Sequence, residues 1–138
     1  MTLFKNAIRW VAGSPAITSM SGAPDAKIGA PVEYGGSPDT LNPEELFVAS
    51  ISSCLMLVFQ HFAEKGGVAV ESYESNAEGT VEKTKNGLRF TSVRVEARAR
   101  IQAADAVEKL RELAELAEKF CLVSNSVSCP VHYTVSAA

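Results

Sequence analysis

The sequence predicts an α+β fold with antiparallel sheets and two main helices. An Asn-Gly pair at 86–87 separates two long strand-like segments, and Asn-Gly is a strong signal for a tight β-hairpin. The two other long segments have helical spacing, and one lies on each side of this hairpin. Strands joined by a tight hairpin must be antiparallel, so this order favours segregated helices and strands within one domain spanning residues 1–138.

The clearest strand is the second arm of the hairpin, Leu88–Ile101. Between Val93 and Ile101 apolar residues alternate with Arg and Glu, so one face should pack and the other should meet water. Val68–Lys83 is the predicted first arm. We expect the remaining strands in three regions: one within 4–12, short strands joined by loops within 16–41, and a last strand at 131–135.

The first helix has a strong start signal. Asn42 can cap the helix through its side-chain oxygen, and Pro43 suits the first helical position. Glu44 and Glu45 place negative charge near the exposed N–H groups of the first turn. Residues 46–63 carry no Asp, Glu, Lys or Arg, but serines, Gln and His interrupt the run, which predicts a protein-buried helix rather than a membrane span.

The second helix is predicted over Ala103–Phe120. Its apolar residues recur three and four positions apart and form one stripe, which ends at Cys121. Cys121 should therefore lie on or just beyond the buried face of this helix.

Composition limits the classes of partner and compartment. The formal net charge is −3, and the basic residues are scattered, which argues against nucleic-acid binding. The amino terminus lacks the features of a signal peptide, so we expect a cytoplasmic protein without a membrane anchor. Three cysteines without closely spaced pairs argue against a disulfide scaffold and favour reduced thiols.

Cys54 allows two interpretations. A cysteine on a helix is usually a small buried apolar residue, and Cys54 continues the apolar stripe of the first helix. If the two helices pack face to face, however, Cys121 could approach it. A peroxide-reducing thiol needs a second thiol to capture its sulfenic acid before further oxidation. The residues alone leave both interpretations open.

The stretch NPEELFVASISSC and the later EKFCLVSN closely resemble the OsmC/Ohr family of thiol-dependent peroxidases. That family has an Asn-Pro-Glu helix start, a reactive cysteine deep in this helix, and a second cysteine that ends a later helix shortly before Ser-Asn. The preceding YGGSPDTL is also similar to family sequence. The resemblance implies the OsmC-like fold, with the first helix central and buried in an intertwined homodimer.

The resemblance also implies a mechanism. Cys54 would be the peroxidatic thiolate and Cys121 the resolving thiol, and the two would form a disulfide that an external dithiol, such as one of the lipoyl type, reduces. The substrate would be an organic hydroperoxide, since the helix around Cys54 is apolar. No metal or organic cofactor is implied, and the role would be antioxidant stress defence.

Glu44 matches the family's catalytic glutamate, which orients an arginine beside the thiolate. Ten helical residues rise about 15 Å, too far for Glu44 to serve Cys54 in its own chain, so a shared site across a dimer is implied. The family's arginine lies in a loop after the first strand, where residues 12–16 contain none. Arg9 is close in sequence, but its strand position predicts a solvent-facing charge. Alternatively, Glu44 only complements the helix dipole.

Other assignments remain as alternatives. The chain could be an OsmC-fold ligand-binding or redox-sensing protein without efficient turnover, which the missing arginine favours. Cys121, Cys129 and His132 could form part of a structural zinc site, although zinc prefers four ligands and more closely spaced pairs. His61 lies about 10 Å along the helix from Cys54, too far for a Cys-His pair. Trp10 and Phe47 could line an apolar pocket or belong to the core.

Overall fold

The computed structural model describes all 138 residues. Two main helices and two three-stranded sheets confirm the α+β class. The strands are β1 (Asn6–Arg9), β2 (Ala16–Met20), β3 (Ala26–Ile28), β4 (Ala69–Thr84), β5 (Gly87–Gln102) and β6 (Val131–Ala137). The helices are α1 (Pro43–Lys65) and α2 (Ala106–Phe120), and short 3-10 helices span Val32–Tyr34 and Ser124–Ser126.

Contacts between residues divide the chain into two compact units. Unit 1 is Met1–Phe47 and unit 2 is Val48–Ala138, so the division falls within α1. Single-domain organisation stays a prediction.

Unit 1 contains the antiparallel sheet β1-β2-β3. Two backbone hydrogen bonds join the segment before α1 to β3: Gly29 N–H donates to Leu41 O at 2.8 Å, and Leu41 N–H donates to Lys27 O at 3.0 Å. Gly36 is required in the intervening loop, because a Cβ there would lie 1.6 Å from the carbonyl oxygen of Ala30. This loop thereby fixes the start of α1 against β3.

Unit 2 contains the sheet β4-β5-β6. β4 and β5 form the predicted hairpin, in which Gly87 has a φ of 94° and pairs with Thr84. The alternation predicted for β5 is confirmed: Val93, Val95 and Ala97 are buried, and the charged residues between them are exposed.

One strand pairing differs from the prediction of antiparallel sheets. β6 pairs in parallel with β5, with Val93 opposite Val131 and Ala99 opposite Ala137. The connection from β5 to β6 contains α2, and this crossover helix returns the chain to the end of the sheet where β5 begins, as parallel pairing requires. The last strand also extends two residues beyond the predicted end, to Ala137.

Helix α1 buries one face within unit 2. Ile51, Leu55, Phe59 and Ala63 are its buried residues, four positions apart. The Phe59 ring packs on Tyr73 of β4, with centroids 5.4 Å apart, and Phe62 packs on Phe120 of α2 at 5.3 Å. The predicted burial on nearly all sides is therefore not reached within one chain, since Leu57 on another face is 60% exposed.

Helix α1 is long and apolar enough to span a membrane by length and composition. Its mean hydropathy is 1.8 over the most apolar window, of which 22% is buried. This is weak evidence for membrane insertion, because the core helix of a soluble protein has the same composition. The packing of Phe59 and Phe62 places α1 in the core of unit 2.

The predicted helix boundaries are close to those observed. α1 ends at Lys65, and Gly67 follows it in the left-handed conformation with a φ of 70°. α2 starts at Ala106, three residues later than predicted, after Asp105 at the N-cap position. Both helices thus place their cysteines as expected: Cys54 about three turns into α1, and Cys121 directly after α2.

Candidate active site

The side chains of Cys54 and Cys121 interact in unit 2. Cys54 is half-buried on α1, and its thiol interacts with the Cys121 side chain, which is fully buried at the end of α2. Both cysteines are free thiols. Two helices separated by the long β4–β5 hairpin therefore bring together two sulfurs that are 67 positions apart in the sequence. An arrangement of this kind can support thiol oxidation followed by capture of the oxidised sulfur.

The surroundings of Cys54 act on its thiolate in opposite directions. Burial raises the pKa of the Cys54 thiol, and the adjacent Cys121 raises it further. The backbone N–H groups of Val123 and Leu122 lower the pKa because they interact favourably with a negative sulfur. The net direction is upward, so the unaided thiolate fraction at neutral pH is smaller than that of an exposed cysteine.

The turn after α2 holds Cys121 in place. Cys121 N–H continues the helical pattern by donating to Ala117 O at 2.8 Å, and Ser124 N–H donates to Cys121 Sγ at 3.4 Å. The Asn125 side-chain amide donates to the carbonyl oxygens of Glu118, Lys119 and Cys121 at 3.3, 3.0 and 2.9 Å. Asn125 therefore caps the end of α2 through carbonyls that have no helical partner.

Glu44 lies in unit 1, in the first turn of α1. The predicted cap is confirmed: Asn42 is 5% exposed, and its Oδ1 accepts a hydrogen bond from Glu45 N–H at 2.7 Å. Glu44 Oε1 is buried without a hydrogen-bond partner. A buried carboxylate oxygen without a partner is costly, so this atom is suited to a donor supplied from outside the chain.

The loop after β1 contains no cation, and Arg9 is a surface residue within this chain. Arg9 Nη2 contacts Asp25 Oδ2 at 3.1 Å, and the Arg9 side chain is 66% exposed. Its Nη1 donates to Ser19 Oγ at 3.3 Å. This agrees with the expectation of a solvent-facing charge.

The other predicted candidates lie apart from the two thiols. His61 is exposed and packs edge-on against Phe62, with ring centroids 5.2 Å apart. Cys129 is half-buried before β6, and no group of three or more His, Cys, Asp or Glu side chains could hold a metal ion, so the zinc alternative lacks a ligand set. Trp10 is exposed and Phe47 is half-buried.

Two features of this region were not predicted. Tyr73 and Tyr133 share a hydrogen bond of 2.6 Å between their hydroxyls, and burial strongly raises the pKa of Tyr133. The charge of a Cys121 thiolate would raise the pKa of Tyr133 further. The N–H groups at 122 and 123 were also missed, since they belong to the backbone and no residue type marks them.

Comparison with known proteins identifies the family. The family model described as OsmC-like protein matches residues 36–136, which include the start of α1, both thiols and the turn after α2. The chain belongs to the OsmC/Ohr family. This confirms the resemblance noted from the sequence motifs.

OsmC/Ohr relatives of this chain include proteins without an assigned function. The uncharacterized protein MJ0573 of Methanocaldococcus jannaschii is 25% identical over 101 residues, which cover 73% of this chain and 52% of that protein. The chain thus spans about half the length of this curated relative. VCA0330 from Vibrio cholerae, an OsmC-like protein of unknown function, has a TM-score of 0.87 at 25% identity, covering 98% of this chain and 99% of the other.

A second solved structure has the same fold as this chain. It is an organic hydroperoxide resistance protein from Elizabethkingia anophelis, with a TM-score of 0.78 at 22% identity. The alignment covers 99% of each chain. At this identity the likeness shows the OsmC fold alone.

Proposed function

We propose that this protein is a thiol-dependent peroxidase that reduces organic hydroperoxides through Cys54 and Cys121. The observation that carries the proposal is the interaction between two free thiols, one on α1 and one directly after α2. Membership of the OsmC/Ohr family supports a peroxide-related role. Structural neighbours named as organic hydroperoxide resistance proteins point the same way.

The proposed reaction has three balanced steps. The Cys54 thiolate attacks the distal peroxide oxygen, the O–O bond breaks, and the alkoxide takes a proton to leave as an alcohol, with Cys54 as a sulfenic acid. The Cys121 thiol displaces the sulfenic hydroxyl as water and forms the Cys54–Cys121 disulfide. An external dithiol, such as one of the lipoyl type, then reduces this disulfide by thiol exchange and becomes a disulfide itself.

A homodimer is part of the proposal, because unit 1 leaves much apolar surface open. Leu3, Phe4, Ile8 and Trp10 are exposed, and no apolar residue of unit 1 is fully buried. Exposed apolar patches of this kind mark association surfaces. Glu44, whose Oε1 is buried without a partner, would complete a site shared between two copies.

Substrate class and location follow from the same features. The residues around Cys54 on α1 are mainly apolar, which favours an alkyl hydroperoxide over hydrogen peroxide. The physiological setting would be antioxidant stress defence in the cytoplasm, where dithiol reductants keep thiols reduced. Glu44 would act by orienting a cation toward Cys54.

The test is oxidation of the reduced protein by one equivalent of cumene hydroperoxide, followed by intact-mass analysis and peptide mapping. We expect rapid loss of two hydrogens that maps to Cys54–Cys121. Cys54→Ser should abolish this reaction, Cys121→Ser should yield sulfenic or sulfinic acid on Cys54, and Cys129→Ser is the matched control that keeps the disulfide. Slow oxidation of all three thiols without preference would contradict the proposal.

The second candidate is an OsmC-fold protein that binds an apolar ligand or senses oxidation without turnover. The raised pKa of Cys54 favours it, because burial of the thiol leaves less of the reactive thiolate at neutral pH. Turnover separates the two functions. A sensor would form the disulfide once, whereas a peroxidase would consume many equivalents of cumene hydroperoxide in the presence of dihydrolipoamide.

A further inference from the structure

Strand β6 has an open edge. Val93 N–H donates to Pro130 O at 3.0 Å, and Ala138 N–H donates to Ala99 O at 3.0 Å. Because alternate residues of a strand in parallel pairing direct both backbone groups at the same neighbour, the even-numbered residues of β6 bond to β5. The odd-numbered residues point their N–H and C=O groups away from β5, where the sheet has no further strand. They are Val131, Tyr133, Val135 and Ala137.

The opposite edge of this sheet is protected, whereas that of β6 is not. The edge strand β4 carries charged side chains along its length, and its pairing with β5 is irregular between Val70 and Ser72 and between Thr80 and Val81. Charges and bulges of this kind keep an edge strand from pairing with another chain. The sequence of β6, VHYTVSA, contains no Asp, Glu, Lys, Arg or Pro, and its pairing with β5 is regular. The edge of β6 is therefore the one suited to a further strand.

A groove of about 530 Å³ lies beside this edge. Its walls are one face of α2, between Val107 and Glu118, and the part of β6 from residue 133 to residue 137. The lining is mainly apolar, and its charged residues are Arg111, Glu115 and Glu118, so its net charge is negative. Unpaired backbone groups next to an apolar groove can bind an extended strand, because the backbone supplies hydrogen bonds and the groove takes alternate side chains.

Strand β1 has features that complement this groove. It is the open edge of the sheet in unit 1, since the other edge, at β3, bonds to Leu41. All four residues of β1 are exposed. The apolar side chains of Phe4 and Ile8 are 86% and 57% exposed, and Lys5 is an exposed cation between them. An apolar strand with a basic residue matches an apolar groove with a negative net charge.

We propose that β1 of a second copy adds to the open edge of β6 and fills the groove between β6 and α2. Each chain offers one β1 and one β6, so two equivalent contacts would join two copies about a twofold axis. These contacts would cover exposed apolar residues of unit 1 and give partners to the outward backbone groups of β6. The inference rests on the homodimer that is part of the proposed function, but it does not depend on the thiol chemistry.

Val135→Pro tests the open edge by removing one outward N–H group. Proline is tolerated in an edge strand where the N–H faces away from the sheet, so the bonds between β5 and β6 are kept. Val135→Ala is the matched control, because it also removes the valine side chain but keeps the N–H. Circular dichroism and the urea midpoint show whether both variants are folded.

The readout is the dimer dissociation constant, measured by analytical ultracentrifugation over a concentration series. Loss of the N–H leaves a backbone carbonyl of the added strand without its donor. We therefore expect a dissociation constant about tenfold or more higher in Val135→Pro than in Val135→Ala. Equal constants in the two folded variants, or a monomeric wild-type protein, would overturn the proposal.

Crosslinking identifies the strand that adds to β6, and it decides the proposal alone if Val135→Pro does not fold. In a cysteine-free background, made by changing Cys54, Cys121 and Cys129 to Ser, a copy with Ile8→Cys is co-expressed with a copy carrying Val135→Cys. Adjacent strands lie about 4.8 Å apart and each residue of register adds about 3.4 Å, so a bis-maleimide spanning about 10 Å reaches two residues either way. We expect a link between positions 8 and 135 of different copies.

Glu78→Cys in place of Val135→Cys is the matched control, because Glu78 is exposed on the protected edge strand β4. A link at position 78 as strong as that at position 135, or no link at either position in a dimer, would overturn β1 as the added strand. A link between position 135 of one copy and position 135 of the other would also overturn it, and would instead assign two paired β6 strands.

Neither test uses a peroxide or a dithiol, so failure of the interface can be distinguished from failure of the peroxidase. If positions 8 and 135 are linked but the wild-type protein consumes no cumene hydroperoxide, the peroxidase is overturned and the interface is kept. Peroxide turnover by a dimer that lacks this link would do the reverse.

Discussion

The two units differ in how they are stabilised. Unit 2 buries a set of apolar residues from α1, β5, α2 and β6, whereas Thr18 and Asn42 are the buried residues of unit 1, and both are polar. Asn6 Nδ2 donates to Thr18 Oγ1 at 2.7 Å, so hydrogen bonds rather than apolar packing organise the small sheet. Unit 2 has its own core, whereas the large apolar residues of unit 1 such as Phe4 and Trp10 are exposed. This contrast is what a protein assembled from two copies would show.

Trp10→Glu in unit 1 should act on the assembly of two copies. Trp10 is 66% exposed, and a buried charge in the proposed dimer interface should weaken dimerisation by about 30-fold or more. Analytical ultracentrifugation over a concentration series measures the change. Val107→Glu in unit 2 is the control, since Val107 is 76% exposed at the start of α2. An unchanged dimer in Trp10→Glu, or a monomeric wild-type protein, would contradict the proposed role of unit 1.

Glycine substitutions compare packing in the two units. In Gly36→Ala the new Cβ would lie 1.6 Å from the Ala30 carbonyl oxygen. Because this oxygen belongs to the backbone, relieving the clash requires the main chain to move. In Gly79→Ala of unit 2 the new Cβ would lie 2.7 Å from Val48 Cγ2 and from the Phe90 ring. These are side-chain atoms, which can shift to relieve the clash. We expect losses of about 3 kcal/mol or more for Gly36→Ala and about 1–3 kcal/mol for Gly79→Ala, measured by urea unfolding. Equal losses would show that the loop before α1 rearranges.

Alkaline pH should destabilise the protein through Tyr133. Burial holds the pKa of Tyr133 well above its usual value, so the folded chain keeps a proton that the unfolded chain releases above pH about 10. Stability is then fully present below that pH and falls by about 1.4 kcal/mol per pH unit above it. Tyr133→Phe should lower the free energy of unfolding at all pH values. It should also remove the part of the alkaline decrease in stability that Tyr133 causes. Tyr34→Phe in unit 1 is the control, and an identical slope in both variants would contradict the assignment.

The smallest expected effect is that of Arg9→Ala. Arg9 pairs with Asp25 at the surface of unit 1, and exposed ion pairs contribute little. We expect an unchanged urea midpoint and less than about a twofold change in peroxide turnover. A large loss of turnover with unchanged stability would instead assign Arg9 as the cation for a thiolate in the assembled dimer.

Local chemistry made much of the fold predictable. The Asn-Gly hairpin, the Asn42 cap and the alternation of β5 each depend on neighbouring residues, and all three are as predicted. The parallel pairing of β6 was not predicted, because pairing across a crossover helix depends on distant segments. The one-sided burial of α1 was not predicted, because a segment without charged residues has no polar face that would indicate which side is exposed.

The candidate site was predictable only in part. The motifs located Cys54, Cys121 and Glu44, and the structure places the two thiols together. The roles of these three residues stay predictions. The bond between Tyr73 and Tyr133 joins residues 60 positions apart, and no local pattern links them.

The adjacency of Cys54 and Cys121 has a consequence for the unfolded chain. A bond between them would close a loop of 67 residues that includes the whole β4–β5 hairpin. A crosslink across a loop of this length restricts the denatured ensemble by about 4 kcal/mol. The oxidised protein would then resist heat and proteases better than the reduced one, so the reductant that restores the thiols would also return the chain to its more degradable form.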